Sequence, residues 1–213
     1  NALVRQPDTG EEAFEILREM LNTAKAAKIG AIVLDSVAGL VPTQVMDEEF
    51  GFNPVAWQGR FVNNSLPRLI PSLKNSGCAL IMINQVRSSL APTALDAMPG
   101  GLAQTFFSHS LIQVRRKGWI EENRQRVGFD MEVRLRKSKI GGEHWGSAVV
   151  PFRIDGGIDI LESFIRDGIE SNIITRTGAW YTFGDTKAMG MNGIKMAFNE
   201  DPSLLSKLQK ALV

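Results

Sequence analysis

Two short apolar runs constrain this chain most. The first, in GAIVLDSVAGL (residues 30–40), runs from Ala31 to Leu34 and stops at Asp35-Ser36. The second, CALIMIN (residues 78–84), stops at Asn84-Gln85. Neither alternates apolar with polar residues, so each reads as a strand apolar on both faces, as in a parallel sheet covered by helices. Between them, QGRFVNNSLPRLIPSLKNSG sets Phe61, Leu66, Leu69, Ile70 and Leu73 on one side of a helix, with Pro67 and Pro71 expected to kink it. Ahead of them, PDTGEEAFEILREMLNTAKAAK places Ala13, Ile16, Leu17, Met20, Leu21 and Ala24 at helical spacing, and Thr9 with Glu12 fits a capping box. Helix and strand in alternation give an α/β fold.

The stretch QVRSSLAPTALDAMPGGLAQ has no period and reads as a long loop, which in a compact domain is usually functional. FFSHSLIQVRRKG, VGFDMEVRLRKSKIGG and SAVVPFRI read as antiparallel strands, with a loop in KGWIEENRQRVG. From about Gly156 the texture changes to helix (IDILESFIRDGIESNII), aromatic hairpin (TGAWYTFGDTK) and two short helices, the second opened by Asp201-Pro202. Residues 1–158 are therefore expected to form one domain and 159–213 a small α+β subdomain, with Trp180 and Tyr181 packing the latter.

The 213 residues are enough for a sizeable core, and no apolar run approaches the roughly 18 residues of a membrane span, so no membrane partner is expected. One cysteine, Cys78, cannot form an internal disulfide, which points to a reducing, cytoplasmic setting. The net charge is only +1, yet residues 115–139 hold nine Lys/Arg against four Asp/Glu, a segment able to meet phosphate or simply a solvated face. His109 and His144 have no metal-ligand spacing.

A buried strand ending in Asp-Ser offers a carboxylate and a hydroxyl at the carboxyl edge of the sheet, where open α/β sheets bind ligands. That donor pair suits a magnesium ion over a triphosphate, although Asp also ends many strands as a cap. Asn84-Gln85 closes the second strand at the same edge and is placed either to feel a terminal phosphate or to begin a turn. Lys137 and Lys139, two apart on a strand, direct two ammonium groups to one side.

QPDTGEEAFEI, IVLDSVAGLVP, LIMINQVR, PGGLAQTFFSHSLIQVRR, KSKIG and GAWYTF together resemble the RecA family of bacterial and phage recombinases, in order and nearly in spacing, over essentially the whole chain. The resemblance implies a RecA-like ATPase core with a mostly parallel central sheet flanked by helices, plus the small C-terminal subdomain. It implies a DNA-dependent ATPase that uses ATP and Mg2+, forms a homo-oligomeric helical filament on single-stranded DNA and pairs it with double-stranded DNA. By resemblance Asp35 and Ser36 serve magnesium and the triphosphate. Gln85 senses the γ-phosphate, and Lys137 and Lys139 reach into a neighbouring protomer's nucleotide.

The resemblance also implies two DNA loops, residues 47–60 and 86–104. Arg60 and Arg87 are their basic contacts, Gly100 and Gly101 admit phosphate close to the backbone, and Val55 and Leu90 are the apolar wedges. Trp57 is placed to stack on a base or to join the core. The second loop departs from the family in having no lysine between Arg87 and Arg115, in Leu102 and Thr105, and in the acidic Asp96.

No G-x-x-x-x-G-K-[ST] motif occurs in the sequence. In the family that loop and the catalytic glutamate precede the stretch similar to QPDTGE, so the chain is expected to be part of a longer protein. The alternatives are a non-hydrolysing paralogue acting as a DNA-binding or regulatory protein, and a hexameric motor.

Overall fold

The computed structural model describes residues 2–46, 54–86, 100–141 and 146–212, the side chains of 54–56 excepted. Helices and sheets are mixed along the chain, an α/β protein, and its contacts divide it into two compact units, Asn1–Ser108 and His109–Val213.

In the first unit, helix α1 (Gly10–Ala27) starts where the capping box places it. The Glu12 amide donates to Thr9 Oγ1 at 3.1 Å, and Glu12 Oε2 accepts from the Asp8 amide at 2.8 Å. Strands β1 (Ala31–Asp35) and β2 (Ala79–Ile83) pair in parallel, in a register that sets Asp35 beside Ile83. A 3-10 turn, Val37–Gly39, and a short helix α2 (Thr43–Met46) follow β1.

Helix α3 (Pro54–Ser76) is unbroken through Pro67 and Pro71. It begins earlier than its apolar spacing indicated, so Val55 and Arg60 belong to its first two turns rather than to a loop. The core comprises Phe14, Leu17, Leu21 and Ala24 of α1, Ile32 of β1, and Val62, Leu66 and Leu69 of α3.

The β1–β2 pair is covered on one face only by the described residues. Ile32 is buried, but Val33, Ile81 and Ile83 on the opposite face are 55%, 49% and 42% exposed. Among the described residues, α1 and α3 both pack on the side of Ile32.

The stretch after the second apolar run also differs from a continuous loop. Helix α4 (Ala103–Phe107) occupies its end, and Ala103 and Gln104 are buried. FF in FFSHS is therefore helical, and the next strand starts at Ser110.

The second unit is built on a long hairpin. Strands β3 (Ser110–Glu122) and β4 (Gln125–Ser138) pair antiparallel, and β5 (Ser147–Arg153) and β6 (Gly157–Ile158) extend the sheet in the order β3-β4-β5-β6. The loop expected in KGWIEENRQRVG is strand on both sides of a two-residue connection. Asn123 (φ 51°) and Arg124 (φ 64°) take the left-handed backbone that a tight hairpin requires at both positions.

Helix α5 (Ile160–Glu170), the antiparallel strands β7 (Thr175–Thr177), β8 (Trp180–Phe183) and β9 (Thr186–Met189), and helices α6 (Gly190–Glu200) and α7 (Ser203–Leu212) complete the unit. Their core is Ile165, Ile174, Tyr181, Ile194, Phe198, Leu204 and Leu208. Tyr181 is buried as expected, whereas Trp180 is 44% exposed, with the Lys187 ammonium 5.2 Å from its ring centre.

Candidate functional site

β1 and β2 run in parallel and end together, so their terminal residues form one edge. Asp35 is exposed there and Ser36 half-buried, joined by a cis peptide bond. A carboxylate and a hydroxyl are hard oxygen donors, the kind a magnesium ion takes.

Gln85 lies two residues beyond β2 and is exposed. Its backbone amide donates to Asn84 Oδ1 at 2.9 Å, and Asn84 Nδ2 donates to Gln104 Oε1 at 3.0 Å. Asn84 thus links the strand end to α4, a role absent from the sequence reading, which singled out Gln85. The signal available was an amide at the close of an apolar strand.

Two further amides stand beside this edge. Gln58, 8% exposed on α3, donates from Nε2 to the carbonyls of Val37, Ala38 and Leu40, each at 3.0 Å. Asn63, a turn further along, accepts from the Ala103 amide at 2.8 Å. Sequence pattern gave no sign of either, because a polar residue on an amphipathic helix reads as solvent-facing.

Of the expected DNA-contacting residues, Gly100 and Gly101 end the second loop at this same place. Both have left-handed backbone, φ 88° and 76°. A Cβ on Gly100 would lie 2.5 Å from Gln104 Nε2 and 2.9 Å from Val37 Cγ1, and one on Gly101 would lie 2.6 Å from Asn63 Nδ2. Neither position has room for a side chain.

Arg60 is exposed on α3, its guanidinium 5.7 Å from the Trp57 ring centre. Both line a groove of about 450 Å³ between α1 and α3, with Arg18 and Arg68. Val55 falls in the first turn of α3. Arg87 and Leu90 lie outside the described residues, as does residue range 47–53.

Within the second unit, Lys137 is in β4 and Lys139 just past its end, where the Lys139 amide donates to the His109 carbonyl at 2.8 Å. Partial burial first, and the adjacent Lys139 ammonium second, push Lys137 below the ordinary lysine value. Two ammonium groups held this close favour an anion between or above them.

Toward the hairpin tip, Arg116 and Arg126 stand 4.3 and 4.6 Å from the centre of the Trp119 ring. Trp119 meets Phe129 edge-on, and Phe129 stacks on Phe152. The basic excess of residues 115–139 is thus carried on the β3–β4 hairpin, whose second strand is also paired with β5.

No described helix is long and apolar enough to cross a membrane.

A family model for the RecA N-terminal domain matches residues 1–158. The chain is similar to Protein RecA of Frankia alni, 33% identical over 215 residues, covering 100% of this chain and 61% of that protein. It is similar to Protein RecA of Aquifex aeolicus at 32% over 213 residues and of Clostridium novyi at 31% over 215, covering 61% and 60% of those proteins. The chain therefore spans about 61% of the length of the curated relatives it matches. With its polar strand edge, its paired glycines and a family domain matched over residues 1–158, this chain belongs to the RecA family.

Proposed function

We propose that the protein containing this chain is an ATP- and magnesium-dependent homologous recombination protein that assembles as a helical filament on single-stranded DNA and pairs it with double-stranded DNA, in the cytoplasm. One observation carries the reading. Asp35-Ser36 and Asn84-Gln85 stand at a common edge of two parallel strands, and the glycines that end the second loop are seated beside that edge.

Asp35 and Ser36 are the residues of this chain that would hold the magnesium-bound triphosphate, which supplies the phosphoryl group for hydrolysis. Their oxygens fit that ion by donor chemistry. Gln85 is exposed at the same edge, and its amide can donate to a terminal phosphate. Lys137 and Lys139 offer a paired positive charge for phosphate oxygens, in the proposal those of a neighbouring protomer's nucleotide. Arg60 and Arg87 neutralise DNA phosphates, Gly100 and Gly101 bring backbone amides to the phosphate chain, and Val55 and Leu90 separate bases.

The finer architecture belongs to the same proposal. The core is a mostly parallel sheet flanked by helices, supported by the parallel β1–β2 pair. Residues 159–213 form an α+β subdomain, supported by the core drawn from Leu161 to Leu212 and by the family model's end at residue 158.

The test is ATP hydrolysis by the complete gene product, with and without a single-stranded oligonucleotide, together with electron microscopy of the mixture. Oligonucleotide-stimulated hydrolysis and open helical filaments are the expected results. Closed rings, or hydrolysis indifferent to DNA, would overturn the reading.

A further inference from the structure

The structure carries more than a strand edge with the Gly100-Gly101 pair beside it. Four side-chain amides fill the space between them, each making a defined bond. Gln58 Nε2 faces three carbonyls with two protons, so it pins the whole turn that follows Asp35-Ser36 to helix α3. Asn63 Oδ1 takes the Ala103 amide and pins the start of α4 to the same helix. Asn84 uses both ends of its amide, accepting from the Gln85 backbone and donating to Gln104. Gln104 is 5% exposed, and its Nε2 lies against Gly100 with no space for even one added carbon.

We propose that Gln104 is a positioning residue that ties the amide of Asn84 to the Gly100-Gly101 backbone, so that the state of the β2 edge sets the seat of the DNA-contacting glycines. This rests on the reading of that edge as the nucleotide site.

When Gln85 turns toward a phosphate, its backbone amide shifts, and the amide plane of Asn84 must turn to keep its bond. Asn84 Nδ2 then either carries Gln104 with it or releases it. Gln104 is packed against Gly100 and Gly100 against Val37, so a displaced Gln104 displaces Gly100. The opposite side is fixed, because Gln58 and Asn63 hold the turn and the start of α4 to α3. The movement therefore goes to the glycine pair.

Linked hydrogen bonds polarise one another, so the bonds of this partly buried network are worth more together than singly. Among the described residues, no buried side-chain polar atom lacks a partner. The direct route from Gln85 along the chain into the second loop reaches that loop at its beginning. The route through Gln104 reaches it at its end, so one nucleotide signal would act on both ends of the DNA loop.

The experiment uses the complete gene product and a fluorescein-labelled oligo(dT) at fixed salt, with anisotropy read in magnesium–ATPγS and in magnesium–ADP. Gln104→Leu removes the acceptor for Asn84 and keeps an apolar contact to Gly100. The ratio of the two affinities should fall by about two- to tenfold, the range one neutral hydrogen bond spans. In an Asn84→Ala background, Gln104→Leu should add nothing further, because the pair acts through one bond.

A Gln104→Leu variant that keeps the wild-type ratio, or one whose effect simply adds to that of Asn84→Ala, overturns the inference and leaves the function standing. A wild-type ratio of one overturns the function with it. If the variant does not fold, hydrogen exchange on the wild-type protein decides. The Gly101 and Ala103 amides should change protection between the two nucleotides, and equal protection overturns the inference.

Discussion

Arg166 Nη1 lies 2.6 Å from Asp130 Oδ1, an ion pair that joins α5 to β4 within the second unit. The same guanidinium holds Glu162, 4% exposed, at 2.5 Å. Lys195 of α6 reaches Glu162 at 3.3 Å and also bonds Asp159, the N-cap of α5. Arg153 of β5 pairs with Glu122 of β3 at 2.8 Å. Three cations and four carboxylates thus cross-link sheet and helices. Burial alone would raise the Asp159 carboxyl. The Lys195 hydrogen bond, the Glu162 amide and the neighbouring cations outweigh it and hold the group below its ordinary 3.8.

The sign of the pH effect follows. A depressed carboxylate stabilises the fold above its unfolded value, near 3.8, and that contribution is lost as pH falls through the lower folded value. Hydrogen exchange in α5 and α6 should therefore accelerate as pH drops below about 4 after correction for intrinsic rates. Asp159→Asn, which keeps the cap, should flatten that acid branch and cost roughly 1 kcal/mol at neutral pH, the order of one partly exposed charged hydrogen bond. An acid branch unchanged in the variant would show that Asp159 is not its source.

Asp35→Ala removes the carboxylate at the strand edge. In the complete gene product it should lower ATP hydrolysis by on the order of a hundredfold or more, since metal anchoring contributes several kcal/mol to charge stabilisation. The measure is phosphate release at saturating nucleotide. Wild-type turnover would remove IVLDS from the site.

Lys137→Ala and Lys139→Ala should lose DNA-stimulated hydrolysis while each variant still melts cooperatively. Mixed with Asp35→Ala protein, the lysine variant should regain part of the activity, because the two defects would lie on opposite sides of a protomer interface. Absence of rescue at every mixing ratio would place the lysines within their own protomer's chemistry or outside it.

Gly101→Ala combines a φ of 76° with a Cβ 2.6 Å from Asn63. The backbone strain alone is worth about 1–3 kcal/mol. The variant should melt at a lower temperature and bind oligo(dT) more weakly in both nucleotide states. Unaltered DNA affinity in a destabilised variant would make the glycine structural only.

Much of this arrangement was legible because apolar runs and capping chemistry are local. AIVLD and CALIMI became the parallel pair, Thr9 capped α1, and Asp201 Oδ1 accepts from the Ser203 amide at the start of α7. What was not legible depends on partners distant in sequence. Gln58 is an ordinary helix residue until the carbonyls of residues 37–40 face it, and Gln104 appeared to belong to a loop until Asn84 paired with it. The hairpin tip was missed because Asn123-Arg124 lacks the glycine that usually marks such a turn. Continuous apolar runs could not show that Val33, Ile81 and Ile83 share an exposed face, since those residues suit a covered one equally well.

The last prediction joins nucleotide to DNA through Gln85. Its side chain is exposed at the strand edge, and its backbone is tied to Asn84 Oδ1. A ligand shifts the loop only by its differential affinity for the two loop states. One charge-assisted hydrogen bond to a γ-phosphate is worth about 1.5–3 kcal/mol, which is a coupling of about ten- to a hundredfold in DNA affinity per protomer. Gln85→Ala should therefore still bind ATP yet hold oligo(dT) no more tightly with ATPγS than with ADP. It should lose more of the ratio than Gln104→Leu, because Gln85 would make the phosphate bond itself and Gln104 would only relay it. Should Gln85→Ala keep the wild-type ratio while Gln104→Leu loses it, the edge would be read through Asn84, and Gln85 would be only the start of a turn.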